Sequence, residues 1–567
     1  MEKIILLPPE VSQKIAAGEV IERPFSAVKE LIENSLDAES TEIKVELLAG
    51  GKHLIRVTDN GYGMSQKDAT LCFERHSTSK IVKEEDLTQI STLGFRGEAL
   101  PSISAVSRVT LKTNDGKGDK GTMIEREGGK VLKVSDTAFP KGTSVEVRDL
   151  FFNLPARQKF LRSERAELGM IVKYVTVAAL AYPEIRISLI QGKREIFNFP
   201  RVGTLRERIF QVYGKSILEK LLEVEYKEDV ELYGYASKPP FGRSDRTHQI
   251  FFVNKRPVKD KILQAALNQS YRGVLEKELF AEAFLFLSLP YSEVDVNVHP
   301  AKAEVRFKDS QHIFRQVAKA LECAMLKVRG VKEIYPFPED KKMYAGIKEL
   351  REARRFKIPE KERFERTDLF PPPLEEKKAY PQVMGQYLDT YIVASNEEGL
   401  FIIDQHNAHE RVLFEQYQEI DAQKKWPTKI SIFPLLLELS PSQEIALEDS
   451  NTLLEEAGFR VEAMGQKSYS LKEFPDIFKP EEAVDILLSL IEEIKEEKIE
   501  NKRAKLLATL ACKTAVKAGQ SLSQEKMNYL VEELFKTANF SICPHGRPII
   551  VKLERKQIEK GLKRPRN

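Results

Sequence analysis

FSAVKELIENSLDAES, residues 25–40, decides how the N-terminal half is read. Val28, Leu31, Ile32 and Leu36 recur at helical spacing and form one apolar side. Glu30, Asn34 and Asp37 fall at i, i+4 and i+7, so they share the opposite stripe. On an isolated helix such a stripe is usually a solvated face. The neighbouring segments give it a second meaning.

Outward from this helix, IKVELLAGGKHLIRVTDNG (43–61) reads as two alternating strands around a Gly50-Gly51 turn. The second strand runs into RVTDNGYGM (56–64), where Asp59 ends the strand and Gly61 and Gly63 let backbone approach a ligand closely. A carboxylate at that point could accept a hydrogen bond from an adenine amino group. TLGFRGEALPSIS (92–104) is another glycine-rich turn before a helix-prone run. Backbone N–H groups from Gly94 through Phe95 and Arg96 to Gly97 could hold phosphate oxygens there. KGTSVEVRDLF (141–151) sets Gly142 and Thr143 just before a strand. Each stretch alone is an ordinary turn.

The chain has 567 residues, enough for three or four domains. With 42% hydrophobic and 31% charged residues it has the make-up of a soluble globular protein. Net charge is only +3, so any nucleic-acid surface must be a local patch. Four widely spaced cysteines argue against a disulfide framework and for a reducing compartment. MEKIILLPPE has too short an apolar run for a signal peptide, and Glu282 breaks AEAFLFLSL, so no membrane contact and a cytoplasmic location are expected.

Domain boundaries follow changes in pattern. Residues 1–200 mix helix and strand. Residues 201–329 form a second α+β unit with strands at 248–254 and 282–289. Residues 330–378, with FPPPLEEKK and dense charge, cannot build a core and read as a flexible linker. Alternation returns from 379 to 567, with a lobe at about 428–505 inserted between two groups of motifs.

Those motifs begin with IDQHNAHERVLFE (403–415). A strand leads to Asp404, and a helix then puts His406 and Glu410 at i and i+4, where they project together. In isolation this is a capped surface helix. Near the end, FSICPHGRPIIVKL (540–553), taken as extended chain, points Cys543 and His545 the same way. Cys512 lies in a helix-like run, LATLACKTAVKAGQ (507–520). Cysteine, histidine and acid together suit Zn²⁺ or, with more oxygen ligands, Mn²⁺. CxxC pairs are absent, which argues against a zinc finger.

The four N-terminal segments, in this order, resemble the Bergerat-fold (GHKL) ATPases. ELIENSLDAES, FERHSTSKI (73–81), GFRGEAL, NLPARQKFL (153–161) and VNVHPAKAEVRF (296–307) narrow the resemblance to the MutL family of DNA mismatch repair proteins. The C-terminal motifs look like the endonuclease-bearing form, whose pattern is DQHAxxExxxxE followed by ACR-like and CPHGRP segments. Here Asn407 replaces the usual alanine and Lys513 the common arginine.

The resemblance implies a Bergerat α/β sandwich, an S5-like transducer domain, a linker and an α+β C-terminal dimerisation and endonuclease domain. It implies ATP as substrate, with Glu30 as the general base and Asn34 holding Mg²⁺. Asp59 would read adenine beside Gly61, Gly63 and Thr143. Thr78, Ser79 and Lys80 would lie on a lid, Gly94, Phe95, Arg96 and Gly97 would cradle phosphate, and Lys302 would reach the γ-phosphate. For the nuclease it implies Asp404, His406, Glu410, Cys512, Cys543 and His545 as Mn²⁺ or Zn²⁺ ligands, with Asp404 and Glu410 also catalytic and Glu415 structural. Arg256, Lys259 and Lys261 would contact DNA without regard to sequence. The implied partners are a MutS-type mismatch recognition protein and a second copy joined through the C-terminal domain. ISIFP (430–434) stands where many relatives carry a sliding-clamp peptide but lacks its glutamine, so that contact stays open. Two other readings remain: a MutL-type scaffold whose C-terminal cysteines and histidines are structural, and a type II topoisomerase ATPase subunit. The second is disfavoured by the HSTSK and CPHGRP runs.

Overall fold

The computed structural model describes residues 17–18, 20–80, 92–94, 97–243, 245–275, 279–295, 305–328, 380–424, 426–465, 468–495, 501–517 and 519–562. The expected linker, 330–378, lies outside them, as do Phe95, Arg96 and Lys302. The chain divides into two compact units, Met1–Arg329 with Lys424–Lys505, and Gly330–Gln423 with Leu506–Asn567. The stretch expected as an inserted lobe, 428–505, packs with the first unit. Ile445 joins that unit's core, and Glu448 and Asp449 pair with Arg194 and Arg165.

In the first unit, helix α1 (Pro24–Asp37) starts at a proline, whose missing N–H costs nothing at a helix start. Val28, Leu31 and Ile32 are buried as the periodicity requires. The helix lies on a mixed sheet of eight strands. These are β1 (Glu42–Leu48), β2 (Leu54–Asp59), β3 (Arg108–Asn114), β4 (Gly121–Glu127), β5 (Lys130–Thr137), β6 (Gly142–Arg148), β7 (Arg186–Gln191) and β8 (Arg194–Phe199), in the order β5-β4-β3-β6-β2-β1-β7-β8. β1 and β2 form the expected hairpin, with Leu48 opposite Leu54 and Ile43 opposite Asp59. Helix α2 (Glu164–Ala181) packs beside α1 over the same core, which includes Ile43, Val45, Val57, Ile171 and Val175.

A second sheet follows in the same unit: β9 (Leu221–Lys227), β10 (Glu231–Ser237), β11 (Gln249–Val253), β12 (Arg256–Val258) and β13 (Ala283–Ser288), ordered β12-β11-β13-β10-β9. Helices α3 (Lys261–Ser270) and α4 (Ser310–Val328) pack against each other over its core.

The second unit has a four-stranded antiparallel sheet of β14 (Gln382–Tyr387), β15 (Tyr391–Asn396), β16 (Gly399–Asp404) and β17 (Ile550–Glu554), in that order. Helix α5 (Gln405–Ala422) leaves β16 directly; α6 (Lys502–Thr514) ends in this unit and α7 (Gln524–Lys536) lies wholly within it. Ile392, Ala394, Phe401 and Ile403 face a core shared with Val412, Leu530, Leu534 and Cys543. On the opposite face Val393, Ile402 and Val551 align across three strands, and Leu400 faces Leu553; Val551 and Leu553 are exposed. Among the described residues, no helix is long and apolar enough to cross a membrane.

Candidate nucleotide site and candidate metal centre

One cavity in the first unit gathers most of the N-terminal residues singled out in the sequence. Glu30 and Asn34 line it from α1, Asp59 and Gly63 from the end of β2, and Thr143 from β6. Thr78, Ser79, Lys80, Gly94 and Gly97 close it on another side. Gly61 is not part of this lining; its N–H donates to Asp59 Oδ1 at 3.0 Å, so it orients the carboxylate. Two glycines are dictated by close approach. Gly63 has φ 68°, and a Cβ there would sit 1.9 Å from the Asn114 carbonyl oxygen. Gly97 has φ 62°, and its Cβ would fall 2.5 Å from the Ser77 carbonyl oxygen.

Asp59 is positioned from both sides. Ser35 Oγ donates to its Oδ2 at 2.8 Å from α1. Burial pushes the Asp59 carboxyl above its ordinary range, against the pull of the Gly61 N–H, the Ser35 hydroxyl and the Thr143 backbone. Glu30 sits 3.5 Å from Lys29, which makes the same contact with Glu33 one turn on.

Asp37 is the hub that the sequence reading placed on the stripe but gave no role. Its Oδ1 accepts the Leu93 N–H at 2.9 Å and its Oδ2 the Gly94 N–H at 3.0 Å. Lys80 Nζ donates both to Asp37 Oδ2 and to Asn34 Oδ1, the latter at 3.0 Å. Thus α1 offers two oxygen atoms that already hold a cationic group. An all-oxygen donor set suits Mg²⁺, which takes few protein ligands.

Arg256 does not face solvent. It is 8% exposed, and its Nη2 donates to the Thr92 and Leu93 carbonyl oxygens at 3.0 and 3.2 Å. Its expected contact with DNA is therefore corrected: burial against main chain removes the guanidinium from any phosphate outside. Lys259 and Lys261 are exposed. Between them Asp260 accepts the N–H groups of Ile262 and Leu263 and caps α3.

In the second unit, five of the six expected metal ligands converge. Single ligand atoms of His406, Glu410 and Cys512 lie within 4.8 Å of one another, and so do those of Glu410, Cys543 and His545. Glu410, 2% exposed, belongs to both groups. The donor set of imidazole, thiol and carboxylate fits Zn²⁺, and with water fits Mn²⁺. Burial pushes the Glu410 carboxyl up, but His545, with Nδ1 2.6 Å from Oε1, outweighs it and holds the group below its ordinary range.

Asp404 is not in either cluster. Its Oδ1 accepts the Asn407 N–H at 2.9 Å and caps α5, the role for which an aspartate just before a helix is suited. The expected extended run at Cys543 is also corrected. The Cys543 N–H donates to Arg547 at 2.8 Å, and Ile542 bridges Pro548, so residues 543–547 make a tight turn. The turn still brings Cys543 and His545 to the same carboxylate. Asn407 Nδ2 donates to the Pro548 carbonyl at 3.3 Å and ties this turn to α5, something alanine could not do. Glu415, one turn beyond Arg411, accepts the Ala538 N–H at 2.9 Å, a structural contact.

The Val516 peptide clips two histidines. His406 Nδ1 donates to its carbonyl at 3.0 Å, leaving Nε2 with the lone pair. His409 Nδ1 accepts its N–H at 2.9 Å, and burial pushes His409 down to about 4. Neither Val516 nor His409 was marked by the sequence.

Three family models match the chain: a histidine kinase-, DNA gyrase B- and HSP90-like ATPase over 21–147, a DNA mismatch repair protein C-terminal domain over 209–326, and a MutL C-terminal dimerisation domain over 384–522. The DNA mismatch repair protein MutL of Koribacter versatilis is 38% identical with all of both chains covered. That of Thermoanaerobacter pseudethanolicus is 35% identical, again over both full lengths. A crystal structure of the N-terminal domain of a DNA repair protein matches with TM-score 0.50 and 29% identity, covering 56% of this chain and 99% of that one.

Proposed function

Since the chain belongs to the MutL family of DNA mismatch repair proteins, we propose that it is an ATP-gated, metal-dependent endonuclease that nicks DNA during mismatch repair. The single observation that carries the nuclease reading is the sharing of buried Glu410 by two three-residue ligand groups. His406 and Cys512 would complete one metal site, Cys543 and His545 the other. A divalent cation held there supplies an activated water and polarises a phosphodiester.

In the first unit, Glu30 orients the attacking water and accepts its proton, while Asn34 holds Mg²⁺. Asp59 accepts the adenine amino group. The glycine-rich stretch 94–97, apart from the Gly94 N–H that Asp37 holds, and the Lys80 ammonium stabilise phosphate charge; phosphoryl transfer depends chiefly on such placement. Exposed Lys259 and Lys261 bind the DNA backbone. The apolar sheet face of Val393, Ile402, Val551, Leu400 and Leu553 receives a second copy of the chain, in keeping with the dimerisation domain matched over 384–522. A mismatch recognition protein of MutS type is the partner that such an activity requires.

One observation favours a second reading. Asp404 is committed to a helix cap, so the clusters can equally serve as structural zinc sites in a non-nucleolytic scaffold. Supercoiled plasmid incubated with Mn²⁺ separates the two. Nicking by the native chain that is lost in Glu410→Gln supports the nuclease; intact plasmid with both proteins supports the scaffold.

A further inference from the structure

Helix α5 holds the stretch that leaves α6 by its backbone, using three side chains. Gln405 Nε2 donates to the Lys517 carbonyl at 3.1 Å. His406 Nδ1 donates to the Val516 carbonyl at 3.0 Å. His409 Nδ1 accepts the Val516 N–H at 2.9 Å. Helix α6 ends at Thr514, and the Ala515 N–H still reaches back to the Ala511 carbonyl at 2.9 Å. Val516 lies one residue further on, outside the helix ladder, so its two backbone groups need other partners. Imidazoles take both.

These contacts decide where protons sit. A carbonyl only accepts, so His406 carries a proton on Nδ1; a backbone N–H only donates, so His409 has none there. In neutral His406 that leaves Nε2 as the atom able to bind a cation. His409 belongs to neither ligand cluster. It nevertheless fixes the peptide on one side of the Val516 Cα, while His406 bonds the peptide on the other side. Loosening the first lets the second turn, and with it the carbonyl that selects the His406 tautomer. The same anchor steadies the end of α6, where Cys512 stands four residues before Val516. Tyr417 of α5 braces that end too, sharing a 2.9 Å hydrogen bond with Thr514 Oγ1.

We propose that His409 is a positioning residue for the cation site of His406, Glu410 and Cys512: by accepting the Val516 N–H it aims the carbonyl that keeps His406 in its metal-binding tautomer. His409 supplies no ligand atom itself. Its effect is on how tightly this one site retains Zn²⁺. The inference rests on the reading of that cluster as a metal site.

Two substitutions separate the acceptor from the ring. His409→Asn gives up the ring but sets its Oδ1 close to where Nδ1 stood. His409→Phe keeps a ring and has no acceptor. Both are made in the full chain carrying Cys543→Ser, which removes a ligand of the other cluster. Competition with a chromophoric chelator measures Zn²⁺ affinity, and the thiolate charge-transfer band of the Co²⁺-loaded chain reports on Cys512. His409→Phe is expected to weaken Zn²⁺ about tenfold or more, and His409→Asn to stay within about threefold of its parent, since lost outer hydrogen bonds to metal ligands have effects of that order. His409→Leu, smaller and also without an acceptor, replaces the phenylalanine variant if that does not fold. Unchanged affinity without the acceptor, equal loss in both variants, or loss in His409→Asn alone overturns the positioning role. If the parent binds neither Zn²⁺ nor Co²⁺, and the chain with native Cys543 binds neither as well, the metal reading itself falls.

Discussion

Lys80 Nζ stands 3.0 Å from Asn34 Oδ1 and also donates to Asp37. The ammonium thus occupies the oxygen pair on α1 that suits a divalent cation. It is half-buried and neutralises a carboxylate that is otherwise committed to two backbone N–H groups. Polyphosphate is a stronger partner for it than an amide. Lys80→Met is expected to raise KM for ATP about tenfold, equivalent to about 1.4 kcal/mol. Steady-state phosphate release at varied ATP measures this, and an unchanged KM would detach Lys80 from the phosphates.

Glu30 and Asn34 sit one turn apart but have separable tasks. Glu30→Ala should bind ATP normally and hydrolyse it at least ~100-fold more slowly, the usual effect of losing a general base. Asn34→Ala should lose both binding and turnover. Equilibrium binding beside single-turnover hydrolysis checks the pair. Normal hydrolysis by Glu30→Ala would remove it from the role of base.

Glu282 interrupts an apolar strand-like run, and the fold accommodates it in an ionic cluster. His248 Nδ1 lies 2.6 Å from its Oε1 and Arg243 3.9 Å away. Burial pushes the carboxyl up, but His248 and Arg243 outweigh it and hold it below the ordinary 4.5. The unfolded chain therefore takes up this proton first as pH falls. The contribution is complete above about pH 4.5 and is lost on acidification through the lower, folded value. Glu282→Gln should cost about 3–5 kcal/mol at pH 7, as for a buried pair that loses one partner. Its stability should also decline less between pH 5 and pH 3 than that of the native chain. Denaturant unfolding across that range would show the difference, and a constant gap at every pH would refute the assignment to charge.

Metal content should follow the geometry of the two clusters. Glu410→Gln removes a ligand common to both, so bound Zn²⁺ should fall toward zero. Cys512→Ser and Cys543→Ser should each lose about half of it. Elemental analysis after dialysis against a weak chelator measures this. Full metal content in Glu410→Gln would show that the shared carboxylate is not a ligand.

Reversing both exposed lysines, Lys259→Glu with Lys261→Glu, should weaken duplex binding equally across sequences. The slope of log K against log salt should shrink by about 2, one unit per lost phosphate contact. Unchanged affinity and slope would place the DNA surface elsewhere.

Much of this was readable along the chain because it is local. The apolar spacing of Val28, Leu31 and Ile32 specified α1, and the same periodicity set Glu30, Asn34 and Asp37 on its other side. The turn glycines marked places where backbone must come close. Asp404 was legible as a residue just before a helix, which is the position of a cap as much as of a ligand. Its membership in a metal site could not be judged without knowing which way its oxygens turn.

Sequence by itself determined the helices, the hairpins, the family and the residue types available at each site, since these depend on near neighbours and on motif order. Tertiary structure alone decided which charges are shielded and which are free. Arg256 and Lys259 are three residues apart in one basic run, yet one is buried on the carbonyls of Thr92 and Leu93 and the other is exposed. The physical reason is that a charge is defined by what surrounds it, and here the surroundings come from backbone more than 160 residues away.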